Sequence, residues 1–259
     1  MDRVTTADPS CPAGMEVATQ PASSMMASAE AAPDPRRRQI PPHVKQTYNW
    51  DCGLACVLMV VHAQGMRHVD LRYLRDLCGT TSIWTVDIAY MLRHFGVPVR
   101  FLTTTLGANP LYAEETFYKD HMRDDERRVE RLFRGAQDAG IQIDLRKVSL
   151  EELRELVAAH LVIILVDKGV LQGSARGSGG GLLCAQGMCC GIGMASGSEP
   201  GAGYVGHYLL LHGHDPKSGE FLARDPASPF ARSRIKEARL DAARKSFGTD
   251  QDMVLVPWS

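Results

Sequence analysis

The chain has 259 residues, of which 44% are apolar and 23% charged, and its formal charge is -1. The near-neutral balance gives no electrostatic basis for binding nucleic acid or an acidic membrane surface, and the length suits one domain with appendages. The longest apolar runs, Leu54–Val61 and Leu161–Val166, are too short to span a bilayer, so no membrane segment is expected.

Residues 1–38 are rich in Ala, Pro, Ser and Met and contain no aromatic side chain. Such a segment cannot bury enough apolar surface to offset the entropy of ordering it, which predicts a disordered tail. It lacks the continuous apolar stretch of a secretory signal, and Asp2, Asp8, Glu16, Glu30 and Asp34 argue against an organellar transit peptide. Seven cysteines, an odd number, exclude a complete disulfide framework within one chain. Together these features predict a cytoplasmic protein with mostly free thiols and a folded domain over residues 39–259.

Pro41, Pro42 and Val44 predict an extended approach to a helix. Asp51 is placed to cap that helix, expected from about Cys52 to Gln64 and stopped by Gly65. Leu54, Val57, Leu58, Val60 and Val61 cover more than one face, which marks it as a buried central helix. Further helices are expected near Asp70–Cys78, Thr85–Phe95 and Asp124–Ala139. The alternation in Val97–Thr103 predicts a strand, and Ile141–Leu145 a short one. Ser149 and Glu152 form a capping-box pattern for a helix ending near His160. Leu161–Val166 fits a strand buried on both faces, and residues 172–204 read as a long glycine-rich loop. His207–His214 and Phe221–Arg224 flank a turn composition at residues 215–219 and predict a hairpin. A charged helix at Ser233–Ser246 and a strand at Met253–Val256 complete an α+β domain, with helices first and strands later.

One constellation carries chemistry. A thiol is nucleophilic only as thiolate, and Cys52 at a helix start sits in the field of unpaired backbone N–H groups. Gly53 beside it is expected to let a substrate backbone approach closely. Gln46, six residues ahead, has an amide that can stabilise an oxyanion next to the sulfur. His207 opens a strand after a glycine-rich stretch and can act as the base. Asp215 and Asp225 compete to orient it. The turn near residue 217 brings residues around 225 opposite His207, whereas Asp215 lies about 26 Å along the strand at ~3.3 Å per residue. Asp225 is therefore the expected partner, although Asp225-Pro226 also reads as a turn initiator. The order Cys, His, Asp resembles the papain-type arrangement.

Other clusters have plainer readings. Cys184, Cys189 and Cys190 with His212 or His214 offer zinc-type ligands, but neither spacing is a C-x-x-C pair; unpaired thiols are the simpler reading and no metal site is expected. Gly177-Ser178-Gly179-Gly180-Gly181 lacks the strand-to-helix setting of a phosphate loop. Trp84, Asp87 and Tyr90 share a helix face that either packs in the core or lines the cleft.

Gln46-Thr47-Tyr48-Asn49-Trp50-Asp51-Cys52-Gly53-Leu54-Ala55-Cys56, Gly206-His207 and Arg224-Asp225-Pro226 resemble the papain-like peptidases that clip double-glycine leaders. Ser82–Tyr90, His94-Phe95-Gly96-Val97 and Ser246–Asp250 resemble the guanylyl cyclase domain-containing protein family. The resemblance covers nearly everything from Val44 onward. It implies a papain-like fold with an N-terminal central helix packed on a C-terminal antiparallel sheet. The leading expectation is a cysteine-dependent hydrolase with Cys52, His207, Asp225 and Gln46 as its site and a peptide, protein or amide substrate. The second family's name implies a cyclase making cyclic GMP from GTP with magnesium or manganese; otherwise no cofactor is expected. A third reading is a binding protein that keeps the fold without turnover.

Overall fold

The sheet organises the molecule, and its centre is the apolar segment at residues 160–167. In the computed structural model, residues 39–107, 122–173 and 204–258 are described. The expected tail at 1–38 lies outside them, as do the glycine cluster and Cys184, Cys189 and Cys190. No helix among the described residues is long and apolar enough to cross a membrane.

The chain begins with helices α1 (Cys52–Ala63), α2 (Leu71–Cys78) and α3 (Thr85–His94), then strand β1 (Arg100–Thr103). Helix α4 (Met122–Gly135) leads to β2 (Gln142–Leu145), and α5 (Leu150–Ala159) to β3 (His160–Asp167). A short helix α6 (Lys168–Gln172) precedes β4 (Gly206–Asp215), β5 (Glu220–Arg224) and β6 (Ser233–Lys236). Helix α7 (Glu237–Arg244) and β7 (Met253–Pro257) end the fold. The class is α+β, as expected.

One seven-stranded sheet runs in the order β2-β1-β7-β3-β4-β5-β6. Every neighbouring pair is antiparallel except β1 and β2. That parallel pair is joined through α4, the kind of crossover that parallel strands require. The sheet is thus not purely C-terminal or purely antiparallel.

Period-two alternation sends successive side chains to opposite faces. On one face Leu161, Ile163 and Leu165 of β3, Tyr208 and Leu210 of β4, and Val254 and Val256 of β7 join the apolar residues of α1–α3 in one core. On the other face Val162, Ile164 and Val166, Leu209 and Leu211, and Met253 and Leu255 join Leu153 and Val157 of α5 and Leu240 of α7. Helices on both faces explain why β3 has no polar alternation. Every residue of α1 except His62 is buried, as its multi-faced apolar pattern predicts.

Several local expectations change. The strand expected over 97–103 is confined to Arg100–Thr103. The charged stretch expected as one helix from Ser233 is an edge strand followed by a shorter helix. In β6 only Ile235 turns inward, while Arg234 and Lys236 lie outside and pair with Glu220 of β5 at 3.0 and 3.1 Å. Charges on an edge strand discourage pairing with another chain, and cross-strand ion pairs fix register. Ser149 caps α5 by accepting the Glu152 N–H at 3.0 Å, but the Glu152 carboxylate turns to Arg146 at 2.6 Å.

The connection from α7 to β7 carries backbone strain. Asp250 and Gln251 have φ of 46° and 52°, and Gly248 has φ of 97°. Left-handed conformations at consecutive non-glycine residues cost of the order of 1 kcal/mol or more each and persist where surroundings impose them. Here the Thr104 N–H donates to the Asp250 carbonyl at 2.9 Å, and the Thr105 hydroxyl to Asp250 Oδ1 at 2.8 Å. A Cβ at Gly248 would stand 2.7 Å from Tyr204 Cγ. Gly248→Ala therefore combines a disfavoured φ with an aromatic clash, and should lower stability by about 2–4 kcal/mol, read as a reduced melting temperature.

Candidate active site

Cys52 is the first residue of α1, and its position depends on the turn ahead of it. Asp51 is fully buried but does not cap the helix as expected. Its Oδ1 is occupied by the Thr47 and Tyr48 N–H groups at 3.0 and 2.9 Å, and its Oδ2 faces Arg75 at 3.3 Å. The carboxylate closes the 47–51 turn instead. Because no side chain caps α1, the N–H groups of its first turn remain available to an anion at Cys52.

Gly53 does not open space for a substrate. A Cβ there would meet Ile88 Cδ1 at 2.9 Å and Tyr208 Cδ2 at 3.1 Å. The glycine lets α1 sit tightly against α3 and β4, which seats Cys52 beside the sheet.

His207 lies at the start of β4 and pairs with Val166 of β3. The register Leu210 with Arg224 carries Asp225 just past the end of β5, diagonal to His207. The His207 Nε2 donates to Asp225 Oδ1 at 2.7 Å, and Cys52 lies near enough to the ring to raise its proton affinity. With Nε2 taken by Asp225, Nδ1 is the nitrogen left for sulfur. Asp225 Oδ1 further accepts the Ala227 N–H at 2.9 Å. Its carbonyl accepts from His43 Nε2 at 3.0 Å, tying the approach segment to the same corner. Asp215, the rejected competitor, closes the hairpin turn by accepting the Lys217 N–H at 3.1 Å.

Gln46 joins this corner through its backbone, whose N–H donates to the Pro226 carbonyl at 2.9 Å. Its side-chain amide donates to the Tyr48 carbonyl at 2.7 Å, while Oε1 is hidden from solvent without a hydrogen-bond partner among the described residues. Gln46 is not among the residues that line the cleft next to Cys52.

The electrostatics follow from burial and pairing. Burial disfavours a charged His207, but the hydrogen bond to Asp225 and the negative charges of Cys52 and Asp225 outweigh it and raise the group to about 9. Burial likewise opposes a charged Asp225, yet the His207 hydrogen bond and charge hold the carboxyl below its ordinary value. Cys56, one turn further along α1, is pushed far up by burial, reinforced by the charges of Cys52 and Asp225, and stays an inert thiol.

Cys52 opens on a cleft of about 240 Å³. Trp50, Ile83, Trp84, Phe133 and Tyr208 supply much of its apolar wall, and Thr85, Asp250 and Asp252 its polar floor. Of the helix face singled out in the sequence, Trp84 alone lines this cleft. Asp87 accepts the Trp84 N–H at 2.9 Å and pairs with Arg128 of α4, and the Tyr90 hydroxyl donates to the Leu132 carbonyl at 2.9 Å. These two fasten α3 to α4. His214 is engaged by Glu237 at 2.5 Å, and His212 is driven down to about 4, first by burial and then by the charge of Arg224. Among the described residues no group of three or more His, Cys, Asp or Glu could hold a metal.

Asp252 was not singled out in the sequence, where the one signal is an acid immediately preceding the apolar strand Met253–Val256. Burial pushes its carboxyl up to about 8 against hydrogen bonds from Thr103 and Thr85, and the charge of Asp250 adds to the rise. The residue as a whole is half-buried, but its Oδ1 is hidden from solvent and has no hydrogen-bond partner among the described residues.

These shifts set a pH dependence. His207 rises from 6.5 to about 9, so its contribution is complete below pH 6.5 and is lost as pH climbs through 9. Asp225 is lowered, so its contribution exists above its ordinary 3.8 and disappears as pH falls through the folded value. Asp252 is raised from 3.8 to about 8, so ionising it costs stability progressively across that interval. Melting temperatures should fall from pH 6.5 to 9, and His207→Asn should flatten that decline. Asp252→Asn should stabilise by about 1–3 kcal/mol at pH 8 and have little effect near pH 4, measured by thermal or denaturant unfolding.

The chain's relatives place this site in a family. A protein-family model described as guanylylate cyclase matches residues 41–256. Guanylyl cyclase 1 of Arabidopsis thaliana is 42% identical over 217 residues, spanning 83% of this chain and 74% of that protein. Among solved structures, the peptidase domain of Streptococcus ComA, a bifunctional ABC transporter of a quorum-sensing pathway, is similar at a TM-score of 0.40 and 13% identity, covering 84% of this chain and 98% of that one. The family match runs through the 47–51 turn, Cys52, His207, Asp225 and the Asp250–Asp252 loop alike, and the chain belongs to the guanylylate cyclase family.

Proposed function

We propose that this member of the family is a cysteine-dependent hydrolase of papain-like type acting on a peptide or other amide. The observation that carries the reading is the imidazole of His207, paired with Asp225 at 2.7 Å and raised in proton affinity by both Asp225 and Cys52, with Cys52 lining a cleft. Such an arrangement activates a thiol and then protonates a leaving amine. The Cys52 thiolate attacks the scissile carbonyl, and His207 gives its proton to the departing nitrogen. His207 then takes a proton from water, which attacks the thioester and releases the acid and free Cys52. Asp225 holds the ring in the tautomer that leaves Nδ1 for sulfur.

The oxyanion is assigned to the open N-terminus of α1 and the Gln46 amide. Its hydrogen bond to Tyr48 uses one of two amide protons, leaving the second for the oxyanion.

The family's name carries a second reading, cyclisation of GTP with magnesium or manganese. That chemistry needs carboxylates to hold the metal and cations to hold the triphosphate. Among the described residues the cleft is lined by Asp250 and Asp252 but by no Lys or Arg, and Asp252 is held neutral. The donor set does not fit, so the hydrolase reading is preferred.

Labelling separates the alternatives. At pH 7 an electrophilic thiol reagent should modify Cys52 ahead of Cys56 and Cys78, as read by peptide mapping. Cys52→Ala should abolish that modification, and Asp225→Ala should slow it by about 10–100-fold. Equal reactivity of all thiols would sink the proposal. So would metal-dependent cyclic GMP formation that survives exhaustive purification and persists in Cys52→Ala. A partner that binds equally well to Cys52→Ala, with no preferential labelling of the native protein, would identify a binding protein instead.

A further inference from the structure

The cleft next to Cys52 has a chemical character that the hydrolase reading alone does not require. Asp250 and Asp252 line it, and no Lys, Arg or His does so among the described residues. Its walls include Trp50, Trp84, Phe133 and Tyr208, whose ring faces attract cations. At about 240 Å³ it falls below the ~300–1,000 Å³ of pockets for drug-sized ligands, a size suited to one side chain.

The two acids are held there deliberately by the surrounding chain. Asp250 is fixed by Thr104 and Thr105 in a left-handed conformation that costs energy. Asp252 occupies a position where a carboxylate is disfavoured, and its Oδ1 is concealed without a partner among the described residues. A buried acceptor left unsatisfied costs roughly 1–3 kcal/mol, and a group delivered by a ligand removes that cost. An alcohol or amide N–H would supply one hydrogen bond. A cation would supply the bond and draw Asp252 into its ionised form beside Asp250. His207 does not counter this at the cleft, because its charge is matched by Asp225.

We propose that the cleft beside Cys52 is a subsite for a cationic side chain of the substrate, an ammonium or guanidinium group received by Asp252 and Asp250 between aromatic walls. The inference rests on the hydrolase reading of Cys52 and names the substrate class: a peptide or amide carrying a lysine- or arginine-like group next to the bond attacked. A divalent metal is the competing occupant of two carboxylates. Among the described residues no third carboxylate or imidazole joins the two acids to complete a metal site, whereas the aromatic walls suit the hydrocarbon stem of an organic cation.

The test uses size-matched methanethiosulfonates that modify thiols with a cationic aminoethyl, a neutral hydroxyethyl or an anionic sulfonatoethyl group. In each case the thiolate attacks the sulfenyl sulfur, a disulfide forms and methanesulfinate leaves. Rates at Cys52 are followed at pH 7 by mass spectrometry and divided by rates with glutathione. The aminoethyl reagent should outpace the hydroxyethyl reagent by about tenfold after this correction, the factor that ~1.4 kcal/mol of charge complementarity gives. The sulfonatoethyl reagent should be slowest. Asp252→Asn should erase most of the cationic preference, read as the ratio of aminoethyl to hydroxyethyl rates within the same variant, and Asp250→Asn should reduce that ratio in part. Butylammonium chloride should slow hydroxyethyl labelling of the native protein where butanol does not, a result that needs no variant to fold. Equal corrected rates for the three reagents, with brisk neutral labelling, would overturn the subsite and leave the hydrolase standing. Protection by magnesium chloride but not by butylammonium would overturn it in favour of a metal. Absence of neutral labelling at Cys52 would remove the hydrolase, and this inference with it.

Discussion

The imidazole of His207 stands where three parts of the fold meet. Cys52 arrives on α1, His207 on β4, and Asp225 on the chain leaving β5, and the ring bonds Asp225 while Cys52 adds to its proton affinity. Its raised proton affinity expresses that meeting: burial alone would discharge the ring, and only the adjoining carboxylate and sulfur keep it charged. Any displacement of α1 against the hairpin leaves a buried titratable group without its partners, which is far costlier than the loss of an exposed ion pair. The site and the packing of α1 on the sheet are therefore a single mechanical problem.

The approach segment solves part of it. Pro41 accepts a hydrogen bond from Arg224, His43 bonds the Asp225 carbonyl, and Gln46 bonds the Pro226 carbonyl, all at 2.9–3.0 Å. Residues over 180 positions apart are thus laced together along the corner that carries the acid. Asp51 then turns the chain into α1 by gripping the backbone behind it. A carboxylate used to close a turn cannot also cap the helix, and the uncapped helix start is what gives Cys52 a favourable field.

The cleft is organised on different terms. Its floor comes from a strained loop in which non-glycine residues adopt positive φ and an acid is held where it does not readily ionise. Local departures of this kind run against stability, and they concentrate where function constrains the chain. Asp252 and His207 both favour their protonated forms. One does so through desolvation and the other through partnership, two physical routes to the same shift.

Much of this was readable in the sequence. The α+β class, the buried α1, the apolar β3 and the hairpin with Gly219 at its turn follow from periodicity and turn chemistry, which act over a few residues. The choice of Asp225 over Asp215 also followed, because strand geometry fixes how far a residue lies from the turn. Other features were not local. The Ser233–Lys236 edge strand was read as helix because alternating charge fits both until the β5 neighbour is known. Asp51, Gly53 and Asp252 were misread or passed over for a shared reason: each is defined by what packs against it. The sequence by itself determined which segments form helices and strands and which residues could do thiol chemistry, since propensity and periodicity are short-range properties. Tertiary structure alone decided that the Asp51 carboxylate faces backward, that Gly53 seats a helix, and that two acids share a cleft with Cys52. Partners, burial and local dielectric arise only when segments distant in the chain are brought into contact.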